Sequence, residues 1–155
     1  MLSFMLLAAI AAAPAEAPGK TVSISNPANM VPFLQELGYK AKLDLTEEEP
    51  SIATGAGGWN YYIHFRGCEA KKDCEDLLVS ASWNAEASKE LTIEKVNEFN
   101  RDNRFARVYL DKKKQAVIES DVIFTDRLMT EKMLEENLDV FESTMTKFAK
   151  FIGQE

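Results

Sequence analysis

Residues 59–83 read WNYYIHFRGCEAKKDCEDLLVSASW, two strand-like runs joined by a short segment bounded by cysteines. Trp59 to Arg66 and Asp76 to Trp83 largely alternate apolar and polar positions, the period of a half-buried strand. If Cys68 and Cys74 face each other, Phe65 pairs with Leu77, Ile63 with Val79, Tyr61 with Ala81 and Trp59 with Trp83. All eight side chains then share one face. A slip of one residue would set apolar groups against polar ones along the whole hairpin. The cysteine pair and the hydrophobic pattern therefore demand the same register. On the chain-entropy account, a disulfide closing so short a loop contributes roughly 2–2.5 kcal/mol. Cys-x5-Cys is not the spacing of zinc or thioredoxin-type sites, and one histidine in the chain leaves no metal shell to complete. No metal or cofactor is expected.

Working outward, Asn26, Pro27 and Gly38 supply an N-cap, a first helical position and a C-terminal stop for a helix over 27–37. Pro32 leaves its start open between Pro27 and Asn29, because a proline past the first turn forfeits a backbone hydrogen bond. Tyr39 to Leu45 alternates as a strand, and a short strand near Ser51 to Thr54 lies between EEEP and TGAGG. Thr92 caps a short helix with Ile93, Val96 and Phe99 on one side. Arg104 to Asp111 and Gln115 to Phe124 form two more strands. A loop at Lys112 to Lys114 pairs Leu110 with Ala116, Val108 with Ile118 and Arg107 with Glu119, and places one loop residue in the left-handed region. The last helix starts near Thr130 and ends near Ile152, with Leu134, Leu138, Phe141, Met145, Phe148 and Ile152 as its apolar stripe. The order helix, three or four strands, helix, two strands, helix predicts an α+β domain, an antiparallel sheet with packed helices.

A chain of 155 residues with 46% hydrophobic content suits one domain with a real core. Its net charge of −7 argues against nucleic acid as a partner, since phosphate backbones attract basic patches. Leu2 to Ala13 is nearly all apolar but too short to span a bilayer. Small residues follow at signal-peptidase spacing, so 1–15 reads as a signal peptide cut after Ala15 or Ala17, without the usual basic residue ahead of it. Residues 16–25 read as a flexible lead-in and 26–153 as the domain. A periplasmic or secreted protein with no stable membrane span after processing is expected, consistent with a cysteine pair.

The run NEFNRDNRFARVYLD, residues 97–111, passes from helix to strand. Asn100, Asn103 and Arg104 sit where the helix must end, and an asparagine amide can serve the orphaned groups of such a corner. In EFNRDNRFARVYLD, in the later VIESDVIF and in the cysteines of YYIHFRGCEAKKDC, the chain resembles the YbjN-type family of bacterial sensory transduction regulators, over about Pro27 to Ile152. Asn100, Asn103, Arg104, Phe105, Tyr109 and Asp111 carry the motif, and Phe99 stands where the family often has Trp. The resemblance implies a fold like the type III secretion chaperone-like domains, often dimeric, with no assigned biochemical activity. The cysteines resemble those of exported members.

His64 shares a hairpin face with Ser80 and Ser82, which invites a hydrolase reading. Neither serine sits in a nucleophile elbow or precedes a Gly-rich oxyanion loop. TGAGG lacks the Lys and helix of a phosphate loop and reads as a turn, and Glu47 to Glu49 as a solvated run. The sheet face away from the helices should display Tyr62, His64, Arg66, Arg107, Tyr109, Glu119 and Asp121, residue types suited to an interaction surface. A plain solvated face is the simpler alternative. Two functions follow: a non-enzymatic interaction module of the bacterial envelope, regulatory or chaperone-like and a homodimer, or a small-ligand sensor with a pocket between sheet and helices. If the N-terminus directs export, N-terminal mass spectrometry of protein from its host should find chains beginning at Glu16 or Pro18. An intact Met1 on cytoplasmic protein would overturn the export signal.

Overall fold

A computed structural model describes residues 19–84, 91–124 and 126–154. The expected signal peptide and its cleavage sites lie outside them. The elements follow as β1 (Thr21–Ser23), α1 (Pro27–Glu36), β2 (Lys42–Asp44), β3 (Ser51–Ala56), β4 (Trp59–Arg66), β5 (Asp76–Asn84), α2 (Ile93–Asp102), β6 (Arg107–Leu110), β7 (Gln115–Asp121), β8 (Leu128–Thr130) and α3 (Glu131–Phe151). The fold is α+β, as the periodicities require.

The hairpin register is the one the cysteines demand. Phe65 lies opposite Leu77 and Ile63 opposite Val79. The rings of Trp59 and Trp83 meet edge to face, centroids 5.6 Å apart. Cys68 and Cys74 form a disulfide. Between them, Ala70 and Lys71 take φ of 47° and 65°, a mirror-image turn without the asparagine or glycine that eases it. The second loop pairs Leu110 with Ala116, Val108 with Ile118 and Arg107 with Glu119, and Lys114 is its left-handed residue at φ 59°.

Six strands make one antiparallel sheet in the order β2-β3-β4-β5-β7-β6, with β6 at an edge and β5 inside. Gly57 and Gly58, at φ 58° and 87°, form the tight turn between β3 and β4 that glycine allows. The expected stripe of α3 is buried throughout, from Leu134 at 1% exposure to Ile152 at 7%. Its aromatics meet the sheet and α2: Phe141 contacts Tyr61, and Phe148 contacts Trp83 and Phe99. Each such side chain contributes on the order of 1.5–3 kcal/mol of apolar burial. Met30, Phe33 and Leu34 of α1 join the same core. All three helices therefore pack on one side of the sheet, called here the inner face.

Local signals set the helix ends. Asn26 Oδ1 accepts the Ala28 N–H, Thr92 Oγ1 the Lys95 N–H and Thr130 Oγ1 the Met133 N–H. At the end of α1, Gly38 N–H donates to Gln35 O and Tyr39 N–H to Leu34 O, the bond pair of a Schellman motif. α1 does start at Pro27, so Pro32 lies inside it.

Several expectations need correction. β6 spans Arg107–Leu110, not Arg104 to Asp111, and β7 ends at Asp121, not Phe124. β2 spans only Lys42–Asp44, not Tyr39 to Leu45, and β3 runs on to Ala56. β1 and β8 were not foreseen; they pair as a separate two-stranded sheet. Residues 21–25, expected within a flexible lead-in, hold β1, and Val22 and Ile24 enter the core. Removing the disulfide as Cys68→Ala with Cys74→Ala should lower stability by roughly 1–3 kcal/mol in urea unfolding, with the far-UV spectrum unchanged. Two free thiols in oxidised protein would contradict the pairing.

Candidate functional site

The helix-to-strand motif serves the backbone. Asn100 Nδ2 donates to Val108 O and Asn100 Oδ1 accepts the Val108 N–H, both at 2.9 Å. Val108 lies on edge strand β6 at 2% exposure, so the amide stands in for the missing neighbour strand. Asn103 ends α2, with its N–H and its Nδ2 both on Phe99 O at 3.0 Å. Asp111 Oδ1 gathers the Lys113 and Gln115 N–H groups at 2.8 and 2.7 Å, which fixes the β6–β7 turn. Arg104 and Phe105 differ. Both are exposed, and Phe105 holds φ 66° and is 69% exposed, while its carbonyl accepts the Ser120 hydroxyl.

Strand pairing assembles the sheet's outer face in rows. One runs Lys42, Ala53, Tyr62, Ser80, Glu119, Arg107 across all six strands. The next runs Asp44, Ser51, His64, Leu78, Asp121, and Arg66 lies beyond it, opposite Asp76. The expected face residues are thus brought together. Tyr62 and Tyr109 are exposed at 45% and 37%. Glu119, however, is only 6% exposed, which corrects the expectation of an open acid. Arg107 Nε sits 2.5 Å from Glu119 Oε1, and the Tyr109 hydroxyl donates to Glu119 Oε2 at 3.1 Å. Burial and the carboxylate together raise the Tyr109 pKa.

His64 and Ser80 do meet, Nε2 to Oγ at 2.8 Å. Ser82 lies in the row beyond, opposite Val117. β5 has a partner strand on each side at Ser80, so the backbone there is committed to the ladders. An oxyanion hole needs free N–H groups, and those of the strand at Ser80 lie within paired ladders. The contact links β4 to β5. Among the described residues no group of three or more His, Cys, Asp or Glu is placed to hold a metal, and no helix is long and apolar enough to cross a membrane.

Sequence reading missed three features. Leu78, on the outer face, is 2% exposed. Arg66 Nε is buried without a hydrogen-bond partner, at a cost of about 1–3 kcal/mol for such a donor. On the inner face, the Tyr61 hydroxyl donates to Glu142 Oε1 at 2.6 Å, and burial pushes the Glu142 carboxyl up. The strand alternation placed Arg66 on the outer face and could have placed Leu78 there, but not their burial, which depends on neighbouring strands. A groove of about 640 Å³ beside the turn end of the β3–β4 hairpin is lined by Gly38, Lys40, Gly55, Trp59, Asn60 and Tyr62 among others.

Burial, and then the charge of Arg66, hold the His64 imidazole below its ordinary value, against a smaller pull from Glu49 and Glu119. The unfolded chain therefore binds this proton more tightly than the folded one. The contribution is complete above the unfolded pKa of about 6.5 and is lost as pH falls from there through the lower folded value. Urea unfolding from pH 8 to pH 5 should show wild type losing stability relative to His64→Gln below about pH 6.5. A constant difference across that range would contradict the assignment.

A search of curated proteins finds no match. The crystal structure of an uncharacterized protein from Methanothermobacter thermautotrophicus is similar in fold, with a TM-score of 0.55 at 16% identity over 79% of this chain and 93% of that one. That likeness bears on fold alone. Residues 26–154 match the YbjN family, described as "Putative bacterial sensory transduction regulator". The match takes in both hairpins, the Asn100 corner and all three helices, and the chain belongs to the YbjN family.

Proposed function

We propose that the protein is a non-enzymatic interaction module of the bacterial envelope, regulatory or chaperone-like, that binds a protein partner through the outer face of its sheet. The observation that carries this reading is the sheet's asymmetry. Three helices cover the inner face, while the outer one groups Tyr62, His64, Arg66, Arg107 and Tyr109 with no helix over it among the described residues. Tyrosine and arginine are the types that dominate binding energy at interfaces. Membership of a family of regulators supports a regulatory role. The disulfide and the signal-like N-terminus support an oxidising, extracytoplasmic location. A homodimer through this face is part of the proposal, since the face carries both charge signs. A small-ligand sensor is the second reading, and the groove beside Gly55 and Tyr62 is the observation in its favour.

Site-specific photo-crosslinking tests the face. A photoreactive residue at Tyr62 or Tyr109 should capture a partner, or a second copy, in the native envelope. The same residue at exposed Glu136 on α3 should not. Tyr62→Ala with Tyr109→Ala should leave the fold within about 1–2 kcal/mol of wild type, because half-exposed strand side chains contribute little. Partner capture should be lost in the same variant. Equal crosslinking from α3 would defeat the proposal.

A further inference from the structure

We propose that Arg66 is a docking point for a carboxylate carried by an acidic side chain of the protein partner. The inference rests on the reading of the outer face as the interaction surface and adds the partner's chemistry to it.

Arg101, Arg107 and Arg127 each hold a carboxylate, from Asp102, Glu119 and Glu75. Arg66 holds none. It enters no ion pair or side-chain hydrogen bond among the described residues, in a chain with 25 acids against 18 bases. Asp76, directly opposite, has Oδ1 on the Leu77 N–H at 2.8 Å. Exposed Arg104 can be satisfied by water, but Arg66 Nε is sealed from solvent with no acceptor. Buried donors without acceptors are rare in folded proteins, because the group loses its water and gains nothing. The rest of the residue is only half-buried, so its outer nitrogens remain reachable. Rotation about the last side-chain bonds would then bring Nε into a two-point fork on a planar carboxylate.

The surroundings choose among anions. Tyr62 and His64 stand on the same strand face, and buried Leu78 is paired with His64. These give an aromatic and apolar border that excludes water from a bound pair. Asp76 and Asp121 lie across the strands. One arginine among carboxylates suits a singly charged acid better than a phosphate dianion. A partner's side chain can also reach this face directly, since Tyr62 on the same strand is 45% exposed.

Random displayed peptides, selected on the disulfide-bonded full chain, provide the probe. Peptides that bind wild type should carry Asp or Glu. Changing that acid to its amide should weaken binding about tenfold or more, and Arg66→Gln should do the same. Arg66→Lys, which keeps the charge without the fork, should recover only part of the affinity. The Arg66 Nε–H resonance of wild type should move with the acidic peptide and not with its amide analogue, a measurement that requires no variant to fold. Binding indifferent to the acid or to Arg66→Gln overturns the inference, and so does displacement by inorganic phosphate at constant ionic strength. If such peptides still need Tyr62 and Tyr109, the interaction face stands without the carboxylate. If they need none of the three, both readings fall.

Discussion

The register of the β4–β5 hairpin is the constraint on which the rest of the molecule depends. Side chains alternate across a strand, so one pairing decides which half of each strand sees the helices. With Phe65 opposite Leu77 and Ile63 opposite Val79, the inner face becomes apolar and can bury α3. β5 lies inside the sheet and hands the same parity to β7, and β7 hands it to β6. β4 sets β3 and β2 in the same way. The disulfide matters through this chain of consequences more than through its own free energy. A slipped hairpin would turn Tyr62, His64 and Arg66 toward the core together.

Much of this was legible because its causes are local. Both hairpin registers, the cap at Thr92, the start of α3 near Thr130, the stop at Gly38 and the α3 stripe follow from periodicity, turn chemistry and cap chemistry. What was not legible depends on distant partners. β1 and β8 have three residues each and no period to detect, and they exist because Val22 and Met129 meet beside the helices. Tyr39 is pulled from the expected β2 by the cap of α1, where its N–H bonds Leu34 O. Glu119 reads as an exposed acid because its position is outward. Its burial comes from Arg107 and Tyr109 on the neighbouring strand.

The motif that carries the family likeness turns out to be mostly architecture. Asn100 closes the edge at Val108, Asn103 ends α2 and Asp111 ties the turn, so three of its polar residues face their own backbone. An edge strand left open would invite pairing with other chains, and the Asn100 amide removes one such place. Phe105 is the exception. A bulky residue at φ 66° carries backbone strain that Gly or Asn would avoid, and its ring gains little burial in return.

An outer face that existed only to meet water would keep its charges hydrated, as exposed antiparallel faces do. This one does not. It seals Leu78 at 2% exposure, draws Glu119 down to 6% and closes Arg66 Nε off from solvent without an acceptor. Glu119 is compensated by Arg107 and Tyr109, so its burial is roughly neutral. The Arg66 donor is not compensated, and stability alone would favour a shorter or apolar residue there. A buried arginine donor left without an acceptor, on a face that also exposes Tyr62 and Tyr109, is better explained by what arrives on the face than by what the fold requires.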